Sequence, residues 1–195
     1  KEKVFNSCLI INNKEIVNYY DKRNLPNYGV FDEKRYFSKG NKKLTIEING
    51  IKIALLICED VWDKTTISES LSSPSPEICI TLNASPFEIG KKNIRSEILK
   101  KLAKKYKTNF IYLNIIGGQD EIVFDGSSLI YDKSSQKLMH MDSFKESILT
   151  LNYAKKFKLS KNISIIDNKK KQISDIYEAI KPVSYTHLTL PTISD

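Results

Sequence analysis

The chain has 195 residues with 31 Lys and Arg against 23 Asp and Glu, a formal net charge of +8, and is long enough for one domain with a substantial core. Hydrophobic residues make up 41% and charged residues 28%, which excludes a disordered chain, and no apolar run reaches the roughly 20 residues that span a bilayer.

The opening KEKVFNSCLII has neither an initiator Met nor a signal-peptide pattern, so the chain reads as an internal fragment. VFNSCLII and EIVNYY, separated by NNK, predict a hairpin. The next stretch, KRNLPNYGVFDEKRYF (22–37), is rich in turn formers: Pro26, Asn27 and Gly29 fix a loop, and Tyr28, Phe31, Tyr36 and Phe37 bring four rings to it. Such a loop either walls a pocket or folds over its own apolar cluster. LTIEI and IKIALLI flank Asn-Gly, which supplies the positive φ angles of a tight hairpin turn.

The second of those strands runs into Cys58, Glu59 and Asp60 with no turn residue between. A Cys after an apolar run is commonly a buried structural thiol, and Cys8 and Cys79 take that reading. Cys58 differs, because two acids without partners cannot continue into a core, so the chain must emerge there into a polar site. A strand ending abruptly in a nucleophile has the geometry of an elbow that exposes the sulfur and aims the following backbone N–H groups at a developing oxyanion. Such a thiol needs a nearby cation to lower its pKa and a base to take its proton.

EICITLNA (77–84) predicts a buried strand. In KKNIRSEILKKLAKKYK (91–107), Ile94, Ile98, Leu99, Leu102 and Ala103 recur on one helix face, so the lysines between them read as a solvated face and not as a nucleic-acid patch. NFIYLNII, SSLIYD and ILTLNY predict three further strands, and KKKQISDIYEAIK a polar linker with a short amphipathic helix. Strands of hairpin and buried type with helices between them predict a layered α/β domain. Three cysteines, an odd number, form no disulfide framework and have no metal-ligand spacing with His140 and His187, as suits a reducing cytoplasm.

The pairing of K-x-x-L-P-N-Y-x-V-F-D-E-x-R-Y-F with a later L-I-C-E-D-x-W resembles the nitrilase superfamily, and more narrowly the glutaminase domains of glutamine-dependent NAD synthetases. TLNASPFEIGKKNIR (81–95) and YLNIIGGQDEIVFDGSSLIYD (112–132) tighten the likeness, which covers roughly residues 1–181. It implies an αββα sandwich, incomplete at its N-terminus, over residues 1–165, with 166–181 leading into a synthetase domain beyond these residues. It implies Cys58 as nucleophile, Lys22 as the catalytic lysine and Glu33 as the carboxylate that orients it. The general-base glutamate falls upstream of residue 1. For the substrate, glutamine, it implies Tyr28 and Phe31 as pocket wall, Glu59 and Ser85 as polar contacts, and Lys91 for the α-carboxylate. On the residues alone, Glu33 could equally pair with Lys34 or Arg35 at the surface, and Lys91 could be one more solvated lysine.

The implied fragment needs no cofactor of its own. ATP and magnesium belong to the synthetase domain, and the whole protein would be a cytoplasmic homo-oligomer that binds neither nucleic acid nor membrane. Two rival functions stay open: a stand-alone carbon-nitrogen hydrolase acting on a small amide, and a non-catalytic Lys-rich binding domain. Finally, PVSYTHLTLPTISD (182–195) resembles the peptide encoded when sequencing-adapter DNA is read through. It is expected to be a non-native tail that does not continue the preceding helix.

Overall fold

The computed structural model describes residues 2–72, 74–119, 122–153, 157–159 and 172–188, and for 157–159, 172–173 and 183–188 the backbone. At its centre are three parallel strands, β4 (Ile51–Ile57), β5 (Ile78–Asn83) and β6 (Asn109–Asn114). Strand β3 (Thr45–Ile48) adds antiparallel to β4, and β9 (Leu129–Tyr131) and β10 (Lys137–His140) extend the other edge, giving the order β10-β9-β6-β5-β4-β3. The expected Asn-Gly turn joins β3 to β4, with φ of 52° at Asn49 and 78° at Gly50.

Helices α2 (Lys64–Leu71) and α3 (Lys91–Tyr106) make the two crossovers between the parallel strands. Asp63 caps the first by accepting a hydrogen bond from the Thr66 amide at 2.7 Å. The core lies between sheet and helices, where Leu56, Phe110 and Leu129 meet Ile67, Leu71, Leu99 and Ala103, all at most 2% exposed. Each such aliphatic side chain contributes about 1.5–3 kcal/mol by leaving water.

The predicted apolar face of α3 needs correction. Leu99 and Ala103 are buried, but Ile94 is 52% exposed and Arg95 and Ser96 turn inward. The helix is rotated because the Arg95 guanidinium finds Asp125 at 2.7 Å and the Ser85 and Pro86 carbonyls at 3.0 and 2.8 Å, an anchor that outweighs burying one isoleucine.

The first hairpin, β1 (Ser7–Asn12) and β2 (Glu15–Asp21), forms a separate two-stranded sheet turning through Asn13 and Lys14, both at positive φ. NFIYLNII does not stay one strand: β6 ends at Asn114, and β7 (Ile116–Gln119) pairs with β8 (Ile122–Asp125). A short strand, β11 (Leu151–Tyr153), pairs with β12 (Phe157–Leu159). A single turn, α1 (Glu33–Tyr36), sits in the loop after β2.

The last helix, α4 (Gln172–Leu188), packs against β7 and β8 and corrects the expected break at residue 182. Its backbone continues through Pro182, which lies against Gly118 so closely that a Cβ there would stand 3.2 Å from the proline Cβ. Proline removes one backbone donor, and this contact holds the segment where that bond is lost. The predicted linker is therefore helical from residue 172 onward, and the rest of the tail, 189–195, lies outside the described residues. Among the described residues no helix is long and apolar enough to cross a membrane.

Candidate active site

The three parallel strands end together, and their carboxyl ends line one cavity of about 460 Å³: Ile57 and Cys58 at the end of β4, Asn83 and Ala84 at the end of β5, Asn114 and Ile115 at the end of β6. This is where open α/β sheets present their ligand sites. Lys22, Glu33, Ser7 and Cys8 are also part of the lining.

Cys58 occupies the predicted elbow. Its φ is 44°, in the left-handed region that a side chain with a Cβ rarely adopts, and it opens the 3-10 turn Cys58–Val61. The expected exposed sulfur needs correction: the residue is only 8% exposed and reaches open space through the cavity it lines. Burial pushes the thiol up from its ordinary value, while the Lys22 ammonium and the Ala84 backbone pull it down and Glu59 and Glu33 push it up.

Lys22 arrives from β2. Its amide donates to Asn6 O at 2.8 Å, its carbonyl accepts from Gly40 N at 2.9 Å, and its Nζ lies 2.5 Å from Glu33 Oε1. Glu33 thus takes the buried lysine and not a surface partner; Arg35 pairs instead with Asp32 at 3.7 Å. The second carboxylate oxygen of Glu33 is buried with no hydrogen-bond partner among the described residues.

Asp60 turns inward, as its sequence position between Glu59 and Val61 did not disclose. It is fully buried. Its Oδ1 accepts from Arg23 N, Asn24 N and Asn24 Nδ2 at 3.1, 2.7 and 3.1 Å, and its Oδ2 from Ile57 N at 3.2 Å and the Tyr20 hydroxyl at 2.9 Å. Burial raises the Asp60 carboxyl and these donors counter the rise.

The predicted substrate contacts divide. Tyr28 and Phe31 meet edge to face at 5.9 Å between ring centroids, and the Tyr28 hydroxyl donates to Glu59 Oε1 at 2.9 Å. Burial, followed by that carboxylate, pushes the Tyr28 phenol up to about 12. Tyr28, Phe37, Glu59 and Trp62 line an adjoining cavity of about 670 Å³. Tyr36 faces solvent beneath Arg35, so the four rings of the loop do not form one wall. Ser85 is buried, its amide donating to Asn114 Oδ1 at 2.9 Å, but it does not line the cavity of Cys58. Lys91 pairs with Glu88 at 2.9 Å and lines neither cavity.

Sequence reasoning missed three supports besides Asp60. Asn83 donates to Leu113 O at 2.7 Å, Asn114 holds Ser85, and Arg95, paired with Asp125, donates to the Ser85 carbonyl. An Asn at the end of each of two apolar strands was the available signal, since a buried amide there must find partners.

A thiol on a left-handed strand-to-turn elbow beside a buried lysine–carboxylate pair, at the ends of parallel strands, is the arrangement expected of a nitrilase-type carbon-nitrogen hydrolase. Comparison with known proteins agrees: the carbon-nitrogen hydrolase family model matches residues 1–154, and the chain belongs to that family. It is 43% identical over 144 residues to a glutamine-dependent NAD(+) synthetase of Acinetobacter baylyi, covering 74% of this chain and 26% of that protein. It is 35% identical over 190 residues to a protein of the same name from Thermotoga maritima, covering 96% and 32%. The structure of the glutamine-dependent NAD+ synthetase of Acinetobacter baumannii in complex with ADP superposes with a TM-score of 0.85 at 33% identity, over 94% of this chain and 35% of that one. The chain therefore spans roughly a quarter to a third of the length of these relatives.

Proposed function

We propose that this domain hydrolyses the side-chain amide of glutamine and that the released ammonia serves, in a longer protein, an ATP-dependent amidation of nicotinic acid adenine dinucleotide to NAD. One observation carries the reading: Cys58, on its left-handed elbow, shares a cavity with the Lys22 ammonium. The glutamine-dependent relatives supply the substrate.

An amide is a poor electrophile with a poor leaving group, so passing through a thioester replaces one difficult step with two easier ones. The Cys58 sulfur attacks the amide carbon, and the Lys22 ammonium with the Glu59 backbone N–H holds the oxyanion, at about 3 kcal/mol per donor. A glutamate base outside these residues takes the thiol proton, passes it to departing ammonia, and then activates the water that releases glutamate. Glu33 holds the Lys22 ammonium in place. Glu59, steadied by Tyr28, is a fixed carboxylate that suits the α-ammonium of a free amino acid and disfavours simple amides. Ser85 is a further polar contact and Lys91 a candidate for the α-carboxylate. ATP and magnesium act in the synthetase part.

The test uses the longer protein. Cys58→Ala should abolish NAD synthesis from glutamine while synthesis from added ammonia continues, because the thiol acts only in releasing ammonia. Loss of both activities together would assign Cys58 a structural role, and retention of both would make it a bystander. The 195-residue chain alone, without the base, should show negligible glutaminase activity.

A further inference from the structure

Asp60 is one residue removed from the elbow, fully buried, and bound to five neutral donors. Among the described residues no guanidinium or ammonium is hydrogen-bonded to it. Arg23 commits its terminal nitrogens to Glu69, Thr66 O and Ser70, and its Nε reaches Asp60 only through the Tyr20 hydroxyl, at 3.4 Å. A buried carboxylate paired only with neutral groups costs more than an apolar side chain of the same size. Its use lies in what its two oxygens join. Oδ1 holds the amides of Arg23 and Asn24, the two residues after Lys22. Oδ2 holds the amide of Ile57, the residue before Cys58. One rigid planar group thus spans the segment that delivers the lysine and the segment that delivers the nucleophile.

We propose that Asp60 is a positioning residue that sets the Lys22 ammonium against the Cys58 sulfur. The proposal rests on the pairing of those two groups in the function proposed above. A carboxylate is the side chain required because both of its oxygens only accept, and each faces at least one backbone N–H. An amide of the same shape has a single accepting oxygen. With that oxygen toward Arg23 and Asn24, its NH2 meets the Ile57 N–H and releases the elbow. Turned round, it meets three donors and releases the lysine segment. Asp60→Asn therefore detaches one segment or the other while removing almost no volume.

The experiment follows alkylation of Cys58 by iodoacetamide in the full 195-residue chain, read at the Cys58 peptide by mass spectrometry between about pH 7 and 11, the range in which the thiolate forms. The wild type is compared with Lys22→Ala, Asp60→Asn and the double variant, each checked for native circular dichroism. Lys22→Ala should raise the pH midpoint, because the cation that favours the thiolate is gone. Asp60→Asn should raise it too, slowing alkylation at neutral pH about tenfold, a change of about one pH unit. Removing a negative charge without moving Lys22 would lower the midpoint, so the direction separates positioning from direct electrostatics.

In the double variant the Asp60 effect should shrink to less than threefold, since the group it positions is absent. An unchanged or lowered midpoint in Asp60→Asn, or an undiminished effect in the double variant, overturns the proposal while leaving the Cys58–Lys22 reading intact. An unmoved midpoint in Lys22→Ala overturns that reading and the proposal with it. Should Asp60→Asn fail to fold, Asn24→Ala takes its place in the same cycle: it removes the 3.1 Å contact to Oδ1, together with the 2.6 Å bond to Thr66 Oγ1, and leaves the Ile57 contact in place. A rise that vanishes without Lys22 supports the proposal, and no rise overturns it.

Discussion

The Lys22 ammonium lies 2.5 Å from Glu33 Oε1, with side-chain exposures of 1% and 18%. A buried ammonium is stable only beside a partner that compensates its lost hydration, and the proposed oxyanion contact uses the ammonium that Glu33 holds. Glu33→Ala should therefore destabilise the fold by about 3–5 kcal/mol, as expected when one partner of a buried pair is left alone. Replacing both partners at once, by Lys22→Met with Glu33→Gln, should recover much of that loss in denaturant titrations. A double variant no more stable than Glu33→Ala would contradict this account.

Gly40 packs against the same segment. Its amide donates to Lys22 O at 2.9 Å, and a Cβ on it would fall well inside van der Waals contact of the Asp21 carbonyl. Backbone cannot swing aside as a flexible side chain would, so Gly40→Ala should cost about 1–3 kcal/mol by overpacking. The thermal midpoint should fall by several degrees. An unchanged midpoint would mean that residues 21 and 40 are further apart in solution.

Next to Ser85, whose carbonyl accepts from Arg95, the Arg95 and Asp125 side chains are 0% and 3% exposed and 2.7 Å apart. Asp125→Ala strands a buried guanidinium, and about 3–5 kcal/mol should be lost. For a chain of this size that lowers the melting midpoint by about 10 °C. Arg95→Lys should also destabilise, because a point charge cannot reach Asp125 and the carbonyls of Ser85 and Pro86 together.

These pairs mark how far the sequence could be read. The Asn49-Gly50 hairpin, the strands around Ile53 and Ile80, though not their parallel pairing, and the elbow at Cys58 were legible because each rests on local chemistry: a turn dipeptide, an apolar run, and a run that ends in charge. Arg95 was not legible, because helical periodicity ranks arginine as surface and only a carboxylate 30 residues away reverses that. Asp60 was half legible: two adjacent acids signalled a polar site, but not that one of them turns inward. The NFIYLNII run was read as one strand because apolar periodicity carries no mark of the break at Ile115, whose carbonyl accepts instead from Gly126 N at 2.9 Å. Lys22 and Glu33 came from the family resemblance, since a Lys and a Glu in a charged loop have no local signature.

In the function proposed above, Glu59 and Tyr28 select which amide is used. In the longer protein, Glu59→Gln should raise KM for glutamine by about 10- to 100-fold with a smaller change in kcat, the pattern of lost ground-state binding. Tyr28→Phe frees the carboxylate without removing it and should have a smaller effect in the same direction. A fall in kcat at unchanged KM would place Glu59 in the chemical step instead.

His140 sets an acid limit on stability. Its ring is held at about 4, below the ordinary 6.5, first by burial and then by the Lys137 and Lys92 charges, with Asp142 and Asp175 acting in the opposite sense. Its Nε2 is buried without a hydrogen-bond partner among the described residues. The folded form therefore resists a proton that the unfolded chain accepts. Above about pH 6.5 the ring is neutral in both states and costs nothing. As pH falls below that value the unfolded chain takes up the proton first, and stability is lost progressively down to about pH 4, where the folded ring is protonated as well. At 1.36 kcal/mol per pH unit the gap from 6.5 to about 4 corresponds to about 3 kcal/mol. His140→Gln keeps a polar side chain of similar size that does not titrate, so it should flatten the pH dependence of the unfolding free energy between about pH 6.5 and 4 relative to wild type. Equal slopes for the two proteins in urea titrations across that window would show that His140 titrates alike in the folded and unfolded chains.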